Sequence, residues 1–203
     1  MLGLDRNELR TLRQLRTPVR IQDYLEALKY SFDTGRDALR SPRRVLREGS
    51  AHCIEGALLA AAALWVHGER PLLLDLRSAP DDLDHVVALF RAHGCWGAIS
   101  KTNHAVLRYR EPIYRTVREL ALSYAHEYFL DDGRKTMRDY SVPFDMRRFG
   151  HGWITSPDDL WHIAEALDDS PHRLVMSAAQ RRGLRKADPV EIRAGKLTVW
   201  RRR

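Results

Sequence analysis

Cys53 stands where a helix begins. Before it, Arg47-Glu48-Gly49-Ser50-Ala51-His52 reads as a connector with Gly49 as a loop residue and Ser50 as an N-cap. After it, Ile54-Glu55-Gly56-Ala57-Leu58-Leu59-Ala60-Ala61-Ala62-Ala63-Leu64-Trp65 has the composition of a buried helix. A thiol in the first turn of such a helix meets free backbone N–H groups and the positive end of the helix dipole, which favour the thiolate and lower its pKa. That is the chemistry of a nucleophile. A small buried cysteine at a helix start is the plainer explanation of the same residue, so the downstream residues decide. His52, Cys53, His85, His93, Cys95 and His104 are also potential zinc ligands, yet no Cys-x-x-Cys or His-x-x-x-His pair occurs among them, and His93 and Cys95 flank a turn that faces them away from Cys53. No metal and no cofactor is expected.

The elements around Cys53 follow from periodicity and punctuation. Gly56, Ala57, Ala60 and Ala61 allow close packing of the helix, and His67-Gly68 stops it. Residues 71–76 read as a strand buried on both faces, and 78–82 as a loop. Residues 85–91 and 95–100 form an antiparallel hairpin about His93-Gly94, with His85 at its open end. A two-residue turn places His85 opposite Thr102, with Ser100 two residues along on the same face; a turn longer or shorter by one residue brings Asn103 to that face instead.

Upstream, Leu9, Leu12 and Leu15 mark an amphipathic segment ending before Pro18. Ile21, Tyr24, Leu25 and Leu28 mark a second helix over 20–30, stopped by Asp33-Thr34-Gly35, and a helical turn begins at Pro42. Downstream, 103–109 reads as extended, and Pro112 opens a helix carrying Ile113, Val117, Leu120, Ala121 and Tyr124. A small hairpin is expected over 128–138, irregular chain over 139–152, and a helix from Thr155-Ser156-Pro157-Asp158-Asp159 to about Leu167. A short strand at Lys196–Trp200 precedes Arg201-Arg202-Arg203.

Composition bounds the function. With 203 residues and 44% hydrophobic residues, the chain suits a single globular domain. Its net charge of +7 is carried by twenty-nine arginines against five lysines, a bias of genome composition more than of function. No apolar run reaches membrane-spanning length, and Met1-Leu2-Gly3-Leu4-Asp5-Arg6 lacks a signal peptide's apolar segment. Two cysteines are too few for a disulfide framework, so a cytoplasmic protein without a membrane partner is expected. The sequence carries no signal for oligomeric state.

The order of Cys53 at a helix start, a buried strand, Asp84-His85-Val86-Val87-Ala88-Leu89-Phe90, and a return strand with Trp96-Gly97-Ala98-Ile99-Ser100 resembles the transglutaminase-like superfamily, of a bacterial type with a papain-like Cys/His core. The resemblance implies an α+β fold in which an N-terminal Cys helix packs on an antiparallel β-sheet, with additional C-terminal helices. It divides the chain into a helical arm over 1–48, a core over 49–130 and an extension over 131–203 packed on it, in one domain overall. It implies a cysteine hydrolase or acyltransferase: Cys53 attacks an amide bond of a peptide or protein, His85 takes its proton or holds it as an ion pair, backbone N–H groups near Cys53 supply the oxyanion hole, and a thioester passes to water or an amine.

Two departures from the family qualify this. Ile54 follows Cys53 where the family often has an aromatic residue. Counted from Trp96, the position of the family's orienting Asp falls on Ser100, which can hold a tautomer by one hydrogen bond but cannot stabilise an imidazolium as a carboxylate does. Asn103 lies close by, and an Asn serves this purpose in papain-like proteases. The third position stays open between Ser100 and Asn103, with Asn103 the better orienter by chemistry. An inactive transglutaminase-like binding module is the alternative. A weak nucleic-acid binder, using the arginines at the chain ends, is a further one, but solvated charge explains those residues better and no nucleic-acid partner is expected.

Overall fold

The computed structural model describes residues 2–32 and 38–201; the expected helix stop at Asp33-Thr34-Gly35, together with Met1, Arg202 and Arg203, lies outside the described residues. The chain opens with α1 (Arg6–Gln14), α2 (Pro18–Ala27), β1 (Lys29–Tyr30), α3 (Pro42–Glu48) and β2 (Ser50–Ala51). Then come α4 (Cys53–Val66), β3 (Leu72–Arg77), β4 (His85–Ala92), β5 (Cys95–Ile99), β6 (Arg110–Tyr114) and α5 (Val117–Ala125). It closes with β7 (Asp139–Ser141), β8 (Phe144–Asp145), α6 (Trp161–Asp168), β9 (His172–Leu174), α7 (Ala178–Arg182) and α8 (Pro189–Gly195).

Because α4 is apolar on every face except for Glu55 in its first turn, it has no face to give to water. Its residues 57–63 are wholly buried, with α1, α2 and α3 on one side and β4 on the other. The sheet runs β6-β5-β4-β3-β7-β9, antiparallel throughout, and β8 also pairs with β3. Alternation along the strands divides the core. Leu73, Val86, Ala88, Phe90 and Ile99 pack with α4, whereas Leu72, Leu74, Leu76, Val87, Leu89 and Ala98 pack with Leu120, Ala121 and Tyr124 of α5. This is the α+β arrangement expected, with the Cys53 helix on an antiparallel sheet.

Register is fixed at the hairpin tip. His93 (φ 52°) and Gly94 (φ 79°) both adopt left-handed backbone, the requirement of a tight two-residue turn, and Ala92 pairs with Cys95. Two glycines permit close approaches nearby. A Cβ on Gly56 would lie 2.4 Å from Cβ of Lys101, and one on Gly97 would lie 2.3 Å from the ring of Phe90, its cross-strand partner.

Several expectations need correction. Ser50 is not the N-cap of α4: Gly49 (φ 67°) ends α3, Ser50 and Ala51 pair in parallel with Lys29 and Tyr30, and His52 holds the cap position. That pairing also draws 29–30 out of the second helix, which ends at Ala27. Pro112 lies in β6, not at a helix start; on an edge strand opposite a register shift its missing N–H is tolerated, and α5 begins after Thr116, whose side chain caps Glu119 N at 3.1 Å. Residues 155–159 do not start α6, because their polar groups are used upstream: Ser41 Oγ donates to Ser156 O at 2.7 Å and Arg44 pairs with Asp159 at 2.6 Å. Within 139–152, β7 and β8 pair with β3, 103–109 is loop, and the 196–200 strand reduces to a bridge between Thr198 and His104, whereas the small hairpin over 128–138 forms as expected, with Leu130 N–H on Arg134 O at 3.1 Å and Thr136 N–H on Tyr128 O at 3.0 Å about the Phe129–Lys135 bridge.

Candidate active site

Cys53 is the first residue of α4, at the end of the sheet where β4 outruns β5. On β3, the Asp75 N–H is given to Ser141 Oγ at 2.9 Å, so Asp75 and Val86 form a non-hydrogen-bonded pair and the Val86 N–H points to the side where β5 has ended. That N–H and the one of Ile54 are directed at the Cys53 sulfur. Burial nevertheless dominates and pushes the thiol pKa up, with Asp75 and Glu55 adding to the rise against the two N–H groups. The sequence expectation of a lowered pKa is thus reversed: the helix terminus is present, but the partly buried thiol loses solvation and faces the carboxylates of Asp75 and Glu55.

His85 opens β4 and is buried. Its Nε2 lies 2.8 Å from Ser100 Oγ, and Ser100 Oγ lies 2.6 Å from the Leu107 carbonyl oxygen. A carbonyl only accepts, so the single hydroxyl proton goes to Leu107 and Ser100 accepts the Nε2–H. In that tautomer Nδ1 carries the lone pair. Burial first, and then Arg110, lower the His85 pKa to about 4 against the Leu107 carbonyl, so the ring is neutral near pH 7. The thiol pKa is thus raised and the imidazole neutral near pH 7.

The shell that holds this relay was not legible in advance. Gln22 of α2 clamps the Ser100 backbone on both sides, accepting from its N–H at 2.9 Å and donating to its carbonyl at 2.8 Å. Leu107 has φ 59°, unusual for a branched residue, with its N–H bound to Glu127 at 2.7 Å. Beneath Cys53, the fully buried Glu55 is gripped by Arg40 through contacts of 2.7 and 2.8 Å. Glu55 had a signal, a lone charge in an alanine-rich helix, as had Asp75 in a leucine-rich strand; Gln22 and Leu107 had none.

Asn103 is not at His85. Its Nδ2 donates to Trp200 O at 2.9 Å and its Oδ1 accepts from Trp200 N at 2.8 Å, so the amide fastens the C-terminal segment. The two-residue turn explains this, because Ser100 shares the His85 face of the hairpin and Asn103, three residues on, has the opposite parity. The soft ligands are dispersed too: Cys95 sits at the hairpin tip and His104 Nδ1 contacts Gly195 O at 3.0 Å.

Cys53 borders two cavities. One, of about 260 Å³, is shared with His85 and lined also by Lys101, Glu127 and Gly195. Burial lowers the Lys101 pKa to about 8, and its Nζ donates to the Leu25 and Leu28 carbonyls at the end of α2. The other cavity, of about 360 Å³, lies on the α4 face of the sheet beside Asp75 and Trp161. No described helix is long and apolar enough to cross a membrane.

No family model matches the chain, and no curated protein matches it. Among solved structures it is similar to Legionella pneumophila LapG (EGTA-treated), with 13% identity, a TM-score of 0.43, and coverage of 72% of this chain and 81% of that one. A likeness that distant says nothing of activity.

Proposed function

We propose that the chain is a transglutaminase-like cysteine hydrolase or acyltransferase that cleaves an amide bond of a peptide or protein through a thioester on Cys53. The observation that carries this reading is the His85–Ser100–Leu107 relay, which fixes one imidazole tautomer at a cavity that Cys53 also lines. In the reaction, Nδ1 of His85 takes the thiol proton as sulfur attacks the carbonyl carbon, the Ile54 and Val86 N–H groups beside the sulfur supply donors for the oxyanion, and the imidazolium returns its proton to the leaving amine. Water or a second amine then releases the acyl group.

Intact-protein mass spectrometry after incubation with an activated acyl ester tests this reading: a stable adduct on Cys53, absent in Cys53→Ala, is expected. An adduct on Cys95 alone contradicts it. One observation favours the inactive binding module instead. Ser100 brings no negative charge to His85, and the Cys53 thiol is raised, so the imidazolium formed in the reaction has weaker support than a carboxylate would give. No adduct with any acyl donor, in a folded protein, is the result that reading expects.

A further inference from the structure

The second cavity beside Cys53 is built around charge. One carboxylate oxygen from each of Asp75, Asp84 and Asp168 lies within 4.8 Å of the other two. Asp75 borders the cavity, is only 3% exposed, and its Oδ1 has no hydrogen-bond partner among the described residues. A buried carboxylate oxygen without a donor is costly unless something else supplies one. Two cations stand behind the cluster without reaching that oxygen. Arg77 pairs with Asp168 at 3.0 Å. His172 points Nδ1 at Ser170 O (2.6 Å) and Nε2 at Asp75 Oδ2 (3.2 Å), two acceptors that favour the protonated ring, while Arg77 Nη2, 3.0 Å from Nδ1, works against it. Burial opposes that proton, but the two hydrogen bonds prevail and the His172 pKa is raised. Arg77 is also shared with Asp139 at 3.6 Å, so the carboxylates outnumber the basic groups around the cavity. Burial and the neighbouring Asp75 and Asp168 raise the Asp84 pKa, the mark of carboxylates crowded without a sufficient counter-charge.

We propose that this cavity is a specificity pocket for a side chain with a cationic end, lysine- or arginine-like, on the amide substrate of Cys53. The proposal rests on the reading of Cys53 as nucleophile and adds the substrate's chemistry to it. An ammonium nitrogen between oxygens so spaced reaches all three at about 2.8 Å, an ordinary N–H···O length, and it has three donors to give. Leu39, Ile54, Leu83, Val86, Trp161 and Leu167 supply apolar wall that suits an alkyl stem, and Tyr30 and His52 also border the cavity. A bare divalent ion takes about six or more oxygen ligands, more than the three carboxylates supply. The cavity's volume, about 360 Å³, accommodates such a side chain, and Cys53 lies on its border.

The test uses a pair of chloroacetamides on the full-length protein, N-(4-aminobutyl) and N-pentyl, alike in length but not in charge. Because the chain carries +7 overall, long-range electrostatics disfavour the cationic probe, so any preference for it is local. The expected result is alkylation of Cys53 about tenfold faster by the aminobutyl probe, with the preference falling to about unity in Asp168→Asn, an exposed position, and in Asp84→Asn. Equal rates, a faster neutral probe, or a preference untouched by both substitutions overturns the proposal. Abolition of the preference by calcium or magnesium that binds tightly in calorimetry assigns the carboxylates to a metal and overturns it equally. Should iodoacetamide fail to modify Cys53, the nucleophile reading falls separately. The pocket is then tested by ligand-observed NMR with pentylamine and pentanol: selective binding of the amine, lost in Asp168→Asn, supports it, and equal binding overturns it.

Discussion

Ser100 accepts the Nε2 proton of His85 at 2.8 Å and passes its own proton to the Leu107 carbonyl at 2.6 Å. The tautomer of His85 thus depends on the neutral hydroxyl of a residue whose backbone is held by Gln22 of α2. Ser100→Ala leaves the buried Nε2–H without its acceptor and is expected to cost about 1–3 kcal/mol of stability. It should also slow Cys53 alkylation near neutral pH by about tenfold. Chemical denaturation and timed alkylation of the same variant check both, and an unchanged alkylation rate would leave Ser100 a structural residue only.

His85 makes stability depend on pH. The unfolded chain holds this proton up to about the ordinary 6.5, whereas the folded chain releases it near 4. Between those values the unfolded state binds more protons, so stability rises with pH: the contribution is complete above pH 6.5 and is lost as pH falls toward 4. The difference is worth about 3 kcal/mol. Urea unfolding from pH 7 down to pH 4 should show the loss in wild type and a flatter profile in His85→Gln.

Asn103 has a different consequence. Its two hydrogen bonds to Trp200 hold the segment that follows α8, next to the cavity shared by Cys53 and His85. Asn103→Ala is expected to raise hydrogen exchange and proteolysis at 196–201 while leaving the pH profile of Cys53 alkylation in place. A changed profile with an intact tail would restore Asn103 to the site.

Gly56 is required where α4 crosses Lys101. The Cβ of an alanine there would meet Lys101 Cβ at 2.4 Å, an atom fixed to the backbone and unable to swing away. Gly56→Ala should therefore destabilise the protein by about 1–3 kcal/mol, read as a lower denaturation midpoint. The constraint on this helical glycine is contact with a neighbour and not backbone conformation.

Much of this fold was legible because its signals are local. The alanine-rich helix after Cys53, the leucine-rich strand, and the His93-Gly94 turn each carry their own pattern, and that turn alone determines that Ser100 and not Asn103 shares the His85 face. What escaped was set by tertiary contact. Pro112 reads as a helix opener until β5 offers it an edge, and 155–159 reads as a helix start until α3 takes its polar groups. The pKa of Cys53 depends on burial and on Asp75 and Glu55, which no local pattern around the thiol reveals.

The pH profile of iodoacetamide reaction at Cys53, in wild type and in His85→Gln with Cys95 as internal reference, bears most directly on the central claim. A neutral thiol beside a base that titrates near 4 should give a plateau of reactivity from about pH 5 through neutrality, above Cys95, followed by a second rise beyond the ordinary thiol range as the thiolate forms. His85→Gln should remove the plateau and leave only the alkaline rise. A single alkaline rise in both proteins, with equal rates at neutral pH, would contradict the role of His85 as the base for Cys53.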